Sequence, residues 1–251
     1  MSEPPRILTI AGSDSSGGAG IQADIKTITM LGGYAMTAIT AITAQNTLGV
    51  TMVEVLTPEL VTAQIEACAS DIGVNAVKIG MLGSAANAHA VADLLKGVNV
   101  PVVFDPVMIA TSGAALADSE TVAAFERLMQ IATLTTPNVA ELEALGGHSG
   151  MAGRGIAYLA KGGDARGDVL VDQLIVPGQE AVIWQSPRID TAHTHGTGCT
   201  LASAIATYLG TGWPLVESIA ASRDFVRAAL LAAPGFGAGN GPLGHAQAQI
   251  T

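Results

Sequence analysis

With 251 residues, 49% of them hydrophobic and only 13% charged, the chain is long and apolar enough to bury a large core, which excludes a disordered or extended polymer. A formal net charge of −10 leaves no broad basic surface for a phosphate backbone, so nucleic acid is not expected as a partner, and an anionic ligand must be met by local basic groups or backbone amides. The two cysteines, Cys68 and Cys199, lie far apart without metal-type spacing, and no stretch approaches the roughly 20 apolar residues of a membrane span, so a reducing, cytoplasmic setting with no membrane partner is expected.

In chain order, Ile7 to Ala11 is a short apolar run that predicts a buried strand. A polar, glycine-rich loop from Gly12 to Gly20 follows, and Ile21, Ile25, Ile28 and Leu31 then recur at helical spacing. The loop joins a strand end to a helix start, which is where ligands collect in open α/β sheets. It lacks the Gly-Lys-Ser/Thr ending of a Walker loop and fits the dinucleotide fingerprint poorly. Ala35 to Ala44 predicts a second strand ending at Gln45-Asn46-Thr47, and Val50 to Leu56 predicts an edge strand or lid element. Pro58 to Ile72 reads as a helix with Cys68 in its core face, Ala76 to Ile79 as a strand ending in Gly80-Met81-Leu82-Gly83, and Ala85 to Leu95 as a helix. The rhythm repeats with a strand from Val102 to Phe104 ending at Asp105-Pro106, a helix from Ser119 to Met129, and a strand from Leu134 to Thr136 ending at Pro137-Asn138. Strand, polar strand end and helix recurring in this way predict a mostly parallel sheet with helices on both faces.

From Leu145 to Lys161 the rhythm fails, because five glycines (146, 147, 150, 153 and 155) crowd the interval where a crossover helix belongs, and only Ile156 to Ala160 reads as regular. Val169 to Val176 and Glu180 to Trp184 flank Pro177-Gly178 and predict a hairpin. The stretch His193-Thr194-His195-Gly196-Thr197-Gly198-Cys199-Thr200 precedes an apolar helical run, Leu201 to Leu209. It is either an anion cradle, with amides and a helix dipole converging beside a thiol, or a plain glycine-rich entry into a buried helix with Cys199 as a small core residue. A last helix from Leu215 to Leu231 and a glycine-rich tail complete the chain.

The chemistry-bearing residues at strand ends or in loops are Asp24, Gln45, Lys78, Met81, Asp105, Asn138, Glu141, Lys161 and Cys199. Lys161, in Lys-Gly-Gly, suits a mobile point charge for phosphate or an ordinary exposed loop lysine, and Lys78 inside an apolar run suits a structural pair with a carboxylate. Asp105, at the end of a very apolar strand, must be hydrated, paired or bound to a cation such as magnesium, or else cap local amides. Asn138 and Glu141, three residues apart, suit a reciprocal helix cap or a hydrated magnesium ion. Gln45 donates and accepts in one plane and suits the edge of a nitrogen heterocycle, whereas Asp24 suits a hydroxyl or amine. His193 and His195 have no third ligand beside them and read as residues that order the loop.

The stretches 11–24, 43–47, 77–82, 105–108, 136–138, 161–163 and 194–200 together resemble, in order and over nearly the whole chain, the hydroxymethylpyrimidine/phosphomethylpyrimidine kinases of thiamine biosynthesis, in the ribokinase-like superfamily. The resemblance implies a single ribokinase-like domain over residues 1–251, an α/β three-layer sandwich with a mostly parallel central sheet. It also implies ATP- and magnesium-dependent phosphorylation of 4-amino-5-hydroxymethyl-2-methylpyrimidine and then of its monophosphate, by a homodimer. By the same resemblance, Gly12, Asp24, Gln45, Met81 and Val107 would line the pyrimidine site. Asp105 and Glu141 would serve magnesium, Asn138, Lys161 and Thr194 the nucleotide, and Gly196, Thr197 and Gly198 the transferring phosphoryl group. Cys199 would take the place of the catalytic base, with a helix start to lower its pKa. The sequence departs from the family in a Glu141 to Lys161 interval shorter by about a helix and in Asp164, where the family commonly has histidine. Pyridoxal kinase, or a pyrimidine-binding protein whose catalysis is lost through the shortened interval, are the alternatives.

Overall fold

The computed structural model of the chain describes residues 3–110, 113–163 and 167–248. Asp164 lies outside the described residues. The apolar run near the N-terminus becomes β1 (Arg6–Asp14), almost wholly buried, as a strand covered on both faces must be. It is followed by α1 (Gly20–Met30), β2 (Tyr34–Asn46) and β3 (Gly49–Val55). β1 extends past Gly12, so the polar loop proper is only 15–19.

Helix α2 (Pro58–Asp71) starts where Thr57 caps the Leu60 amide and proline occupies the first turn. Then come β4 (Ala76–Ile79), α3 (Ala85–Leu94), β5 (Val102–Phe104), α4 (Ser119–Ile131) and the very short β6 (Leu134–Thr135). Ser84 and Asp118 cap α3 and α4 in the same way. Cys68 is half-buried and packs against the core from α2.

The glycine-crowded interval corrects the sequence expectation. It holds two short helices, α5 (Val139–Ala144) and α6 (Gly147–Arg154), before β7 (Tyr158–Ala160). Glycine here punctuates rather than dissolves the helix: Gly146 and Gly155 adopt left-handed conformations at its two ends. Met151 anchors α6 in the core, and Arg154 Nη1 donates to the Leu145 carbonyl at 2.8 Å. The crossover from β6 to β7 is therefore built, in compact form.

The hairpin is β8 (Val169–Ile175) and β9 (Val182–Pro187), and the last two helices are α7 (Thr197–Gly210) and α8 (Leu215–Leu231). Among the described residues, nine strands form one sheet in the order β3-β2-β1-β4-β5-β6-β7-β8-β9. Pairing is parallel from β2 through β7 and antiparallel at both flanks. One core lies between one sheet face and α2, α3, α4 and α6, around Leu8, Ile79, Phe104, Phe125 and Leu128. The other lies beneath α1, α7 and α8, around Ile7, Ile28, Val103, Leu134 and Ile205. This is the three-layer α/β sandwich that the alternation of strands and helices implied. Val50 to Leu56 supplies the edge strand β3, antiparallel to β2. Among the described residues, no helix is long and apolar enough to cross a membrane.

Candidate active site

The parallel strands end together, and their carboxyl ends carry candidate site residues named above: Gly12 near the end of β1, Met81 after β4, Asp105 after β5, Asn138 after β6 and Lys161 after β7. Asp105 and Lys161 face the start of α7, whose first residue is Thr197 rather than Leu201. The second half of the glycine-rich stretch, Thr197 to Thr200, is thus the first turn of the helix, and only His193 to Gly196 lie ahead of it. The N-cap is Gly196, with φ +88° and no side-chain cap, so the amides of Gly198 and Cys199 have no helical carbonyl behind them. A Cβ at Gly196 would stand 1.9 Å from the Gly18 carbonyl oxygen, so the backbone needs glycine both for conformation and for space. Thr194 lies just outside, its carbonyl accepting from the Thr197 amide at 3.3 Å.

Next to this turn stands a lysine held by carboxylates. Lys161 Nζ is 2.7 Å from Asp105 Oδ1 and 4.0 Å from Glu141 Oε2. Asp105 Oδ1 also accepts from the Thr136 hydroxyl at 2.9 Å. Burial works against the lysine's charge, but Asp105 and Glu141 outweigh it and hold its pKa up at about 12. A Cβ on Gly198 would sit 3.4 Å from both Asp105 Oδ2 and Lys161 Nζ, so the helix start and the ammonium share one space. Lys161 is not the exposed loop lysine of the bland reading, since its side chain is 12% exposed.

Asn138 and Glu141 form a reciprocal cap on α5: Glu141 N donates to Asn138 Oδ1 at 2.9 Å, and Asn138 N donates to Glu141 Oε2 at 2.8 Å. The cap does not remove Glu141 from the site, because the same Oε2 faces Lys161. Among the described residues, no group of three or more His, Cys, Asp or Glu is placed to hold a metal unaided.

On the other side, Met81 leans over Gly12, where an added Cβ would come within 3.0 Å of its sulfur. The Met81 carbonyl accepts from the Thr40 hydroxyl at 2.6 Å. Val107 N donates to the Asp105 carbonyl at 2.8 Å, which ties that residue to the end of β5. Gln45, at the end of β2, is half-buried and lies 3.4 Å from His195 Nε2.

Asp24 departs from the sequence expectation of a ligand contact. It is 0% exposed, and protein donors take up both of its oxygens. Lys78 Nζ donates to each at 2.9 Å, Thr9 Oγ1 to Oδ2 at 2.5 Å and Ser203 Oγ to Oδ1 at 2.6 Å. A carboxylate has about four lone-pair sites, and here all are used within the protein. Sequence reading missed Thr9 and Ser203, although each is a lone hydroxyl inside an apolar run, the pattern of a buried group with a fixed partner. It also missed Asp14, which gathers the 15–19 loop; Asp-Ser-Ser-Gly at a strand end was the available signal.

Cys199 corrects a second expectation. Desolvation, abetted by Asp24 and Asp105, pushes its thiol from 9.0 up to about 11 against the pull of Lys78 and a hydrogen bond from the Gly20 amide. The helix start does not ionise it, so the protein without ligands holds a thiol there.

The chain matches the family model described as phosphomethylpyrimidine kinase over residues 14–244. It is 45% identical over 255 aligned positions to the hydroxymethylpyrimidine/phosphomethylpyrimidine kinase of Rhizobium meliloti, covering 95% of this chain and 96% of that one. It is 44% identical to part of the thiamine biosynthesis bifunctional protein ThiED of Geobacter sulfurreducens, covering 95% of this chain and 52% of that longer protein. Among solved structures, the ADP complex of Bacillus subtilis pyridoxal kinase superposes with a TM-score of 0.88 at 32% identity, covering 98% of each chain.

Proposed function

The chain belongs to the phosphomethylpyrimidine kinase family, and from that premise we infer how its own residues carry out the reaction. It is an ATP-dependent phosphotransferase of thiamine biosynthesis that phosphorylates 4-amino-5-hydroxymethyl-2-methylpyrimidine and then its monophosphate. Phosphoryl transfer asks a protein for positioning and charge stabilisation more than for covalent help. The observation that carries our residue assignment is the shared space between Lys161 Nζ and the first turn of α7.

The amides of Gly198 and Cys199, with Gly196 and Thr197 shaping the turn, receive the transferring phosphoryl group at the positive end of the α7 dipole. Lys161 meets the charge that spreads over its oxygens, and its carboxylate partners keep the ammonium oriented. Asn138 and Thr194, at the rim of the same space, contact the nucleotide. Gly12, Met81, Val107 and Gln45 line the pyrimidine pocket, where Gln45 reads the heteroatom edge. Asp24 supports this pocket from within, through Lys78 and α7, rather than by touching the ligand.

Asp105 and Glu141 offer hard carboxylate oxygens beside the phosphate space, which fits magnesium that arrives with nucleotide phosphates to complete its shell. When bound, the ion neutralises phosphate charge. Cys199 is the residue nearest the role of base. Only its thiolate can take the hydroxyl proton, and with the thiol pushed up to about 11 that form is a minor one in the ligand-free protein at neutral pH. A homodimer is part of the same proposal, with size-exclusion chromatography as its check.

An ATP-consumption assay with hydroxymethylpyrimidine, its monophosphate and pyridoxal side by side tests the reading. Turnover of the first two is expected, and inactivity on all three refutes it. Structural likeness to pyridoxal kinase favours a second reading as pyridoxal kinase, and a higher kcat/KM for pyridoxal than for the pyrimidine would select it.

A further inference from the structure

One polar cluster stands apart from the phosphate machinery. His195 and Asp14 are 4% and 3% exposed, and His195 Nε2 lies 2.8 Å from Asp14 Oδ2. An ionised carboxylate only accepts, so this bond places a proton on Nε2. Burial works against the Asp14 charge, but the bonds from His195, Ser16 and Ala19 more than offset it and hold the carboxyl below its ordinary range. Gly18 closes over the imidazole so tightly that a Cβ there would be 2.3 Å from His195 Cδ2. The ring is fixed in both plane and tautomer.

Gln45 lies against this ring. One end of its amide is 3.4 Å from His195 Nε2 and the other is 3.2 Å from Thr43 Oγ1. The Thr43 hydroxyl is also 2.9 Å from the Ser13 carbonyl, which can take only its proton. The His195 Nε2 proton is held first by Asp14 at 2.8 Å, and the amide end at 3.4 Å meets the flank of that N–H, while the other end meets a lone pair. Amide oxygen and nitrogen are nearly alike in size, and their order follows from such a network. Oxygen toward His195 and nitrogen toward Thr43 satisfies both neighbours; the reverse sets N–H against N–H. Each end then keeps one unused capacity, an acceptor beside a donor in fixed order.

We infer that His195, buttressed by Asp14 and Gly18, is a positioning residue that fixes the order of acceptor and donor on Gln45 and so selects a heteroaromatic substrate with an amino group next to a ring nitrogen, in one face-up orientation. The inference rests on the function proposed above. A reversed amide pairs with the same edge turned over, which carries the hydroxymethyl group away from the start of α7. Pyridoxal has no amino group beside its ring nitrogen, so it gains nothing from the fixed order.

The test is a double-mutant cycle with His195→Phe, which keeps a ring and loses the N–H, and Gln45→Met. Each variant is assayed for kcat and KM with the pyrimidine, with pyridoxal and with ATP. His195→Phe is expected to lower kcat/KM for the pyrimidine about 10-fold or more while leaving pyridoxal and the KM for ATP nearly unchanged. Gln45→Met is expected to cost little further in the His195→Phe background. His195→Gln, whose amide nitrogen falls near the Nε2 position, is expected to recover most of the loss, and it carries the test if the phenylalanine variant does not fold. Equal losses on both substrates, multiplicative effects of the two substitutions, or no rescue by glutamine overturn the inference. Wild-type inactivity on the pyrimidine refutes the function itself, whereas an active wild type with multiplicative losses refutes only the role of His195.

Discussion

Among the described residues, two lysine–aspartate pairs of nearly the same length stand in two different settings. Lys78 and Asp24 meet at 2.9 Å with both side chains 0% exposed, whereas Lys161 and Asp105 meet at 2.7 Å with 12% and 3% exposure. In the first, Thr9 and Ser203 complete the carboxylate, and β1, α1, β4 and α7 converge on it. In the second, Glu141 adds a further negative charge at 4.0 Å, and Gly198 stands so close that an added Cβ would touch both the ammonium and Asp105 Oδ2 at 3.4 Å. A closed, fully satisfied pair has no capacity left for a ligand and acts on the fold. A pair with excess acid and an open side acts on what enters. The difference lies in the neighbours, not in the pair.

Removing Lys78 is the hardest test of that contrast. Lys78→Met leaves Asp24 as an uncompensated buried charge and is expected to destabilise the protein by about 3–5 kcal/mol in urea denaturation. The double variant Asp24→Asn, Lys78→Met is expected to recover most of this. Equal losses in single and double variants would break the assignment of the pair to the fold.

Lys161→Met is expected to shift the weight to activity, with kcat/KM falling about 10²–10³-fold in the coupled ATP assay while the denaturation midpoint at neutral pH falls by less than for Lys78→Met. Its pKa is raised from 10.5 to about 12, so the pair supports the fold fully below pH 10.5 and the support fades as pH rises through about 12. Stability curves of wild type and variant should therefore converge above that pH. An active Lys161→Met enzyme would place the phosphate charge elsewhere.

Between the two pairs stands Cys199, near enough to sense both. With its pKa at about 11 instead of 9.0, the ligand-free protein is expected to be alkylated at this residue about 100-fold more slowly at neutral pH than an ordinary thiol, measured by mass spectrometry against Cys68. Fast alkylation with a midpoint near neutrality would show a preformed thiolate. Cys199→Ala and Cys199→Ser retaining full kcat at saturating ATP would remove the thiol from the reaction altogether.

The smallest effect belongs to the rim of the open pair. Asn138→Ala breaks the reciprocal cap of α5 and is expected to cost about 1 kcal/mol of stability. It should raise the KM for ATP more than it lowers kcat, whereas a fall in kcat alone would place Asn138 on the reacting group.

The repeated strand and helix of the first 136 residues were legible because short apolar runs, cap residues and period-3.6 patterns are local. β4, β5 and α8 agree with their expected bounds. The compact crossover of α5 and α6 was not legible, because five glycines suggest a loop unless one knows that two of them stand as left-handed caps. The start of α7 was misplaced for a similar reason: Thr197 to Thr200 gain helical shape from packing against Gly18 and the Lys161 pair, not from intrinsic preference. At the site, residue types pointed to the Lys78 pair, and His195 does tie its loop to Asp14, but they did not show which charges were closed off.

The amino-acid sequence by itself determined the layered α/β architecture, the succession of polar strand ends and the kinship that names the reaction, because each is written in local periodicity and in motifs a few residues long. Only the tertiary structure decided that Asp24 turns inward while Asp105 faces Lys161 and the start of α7, that the Cys199 thiol is pushed up by burial, and that His195 reaches across from the start of α7 to Asp14 and Gln45. Those outcomes depend on desolvation and on partners more than 50 residues away in the chain, neither of which a residue's own neighbours in sequence specify.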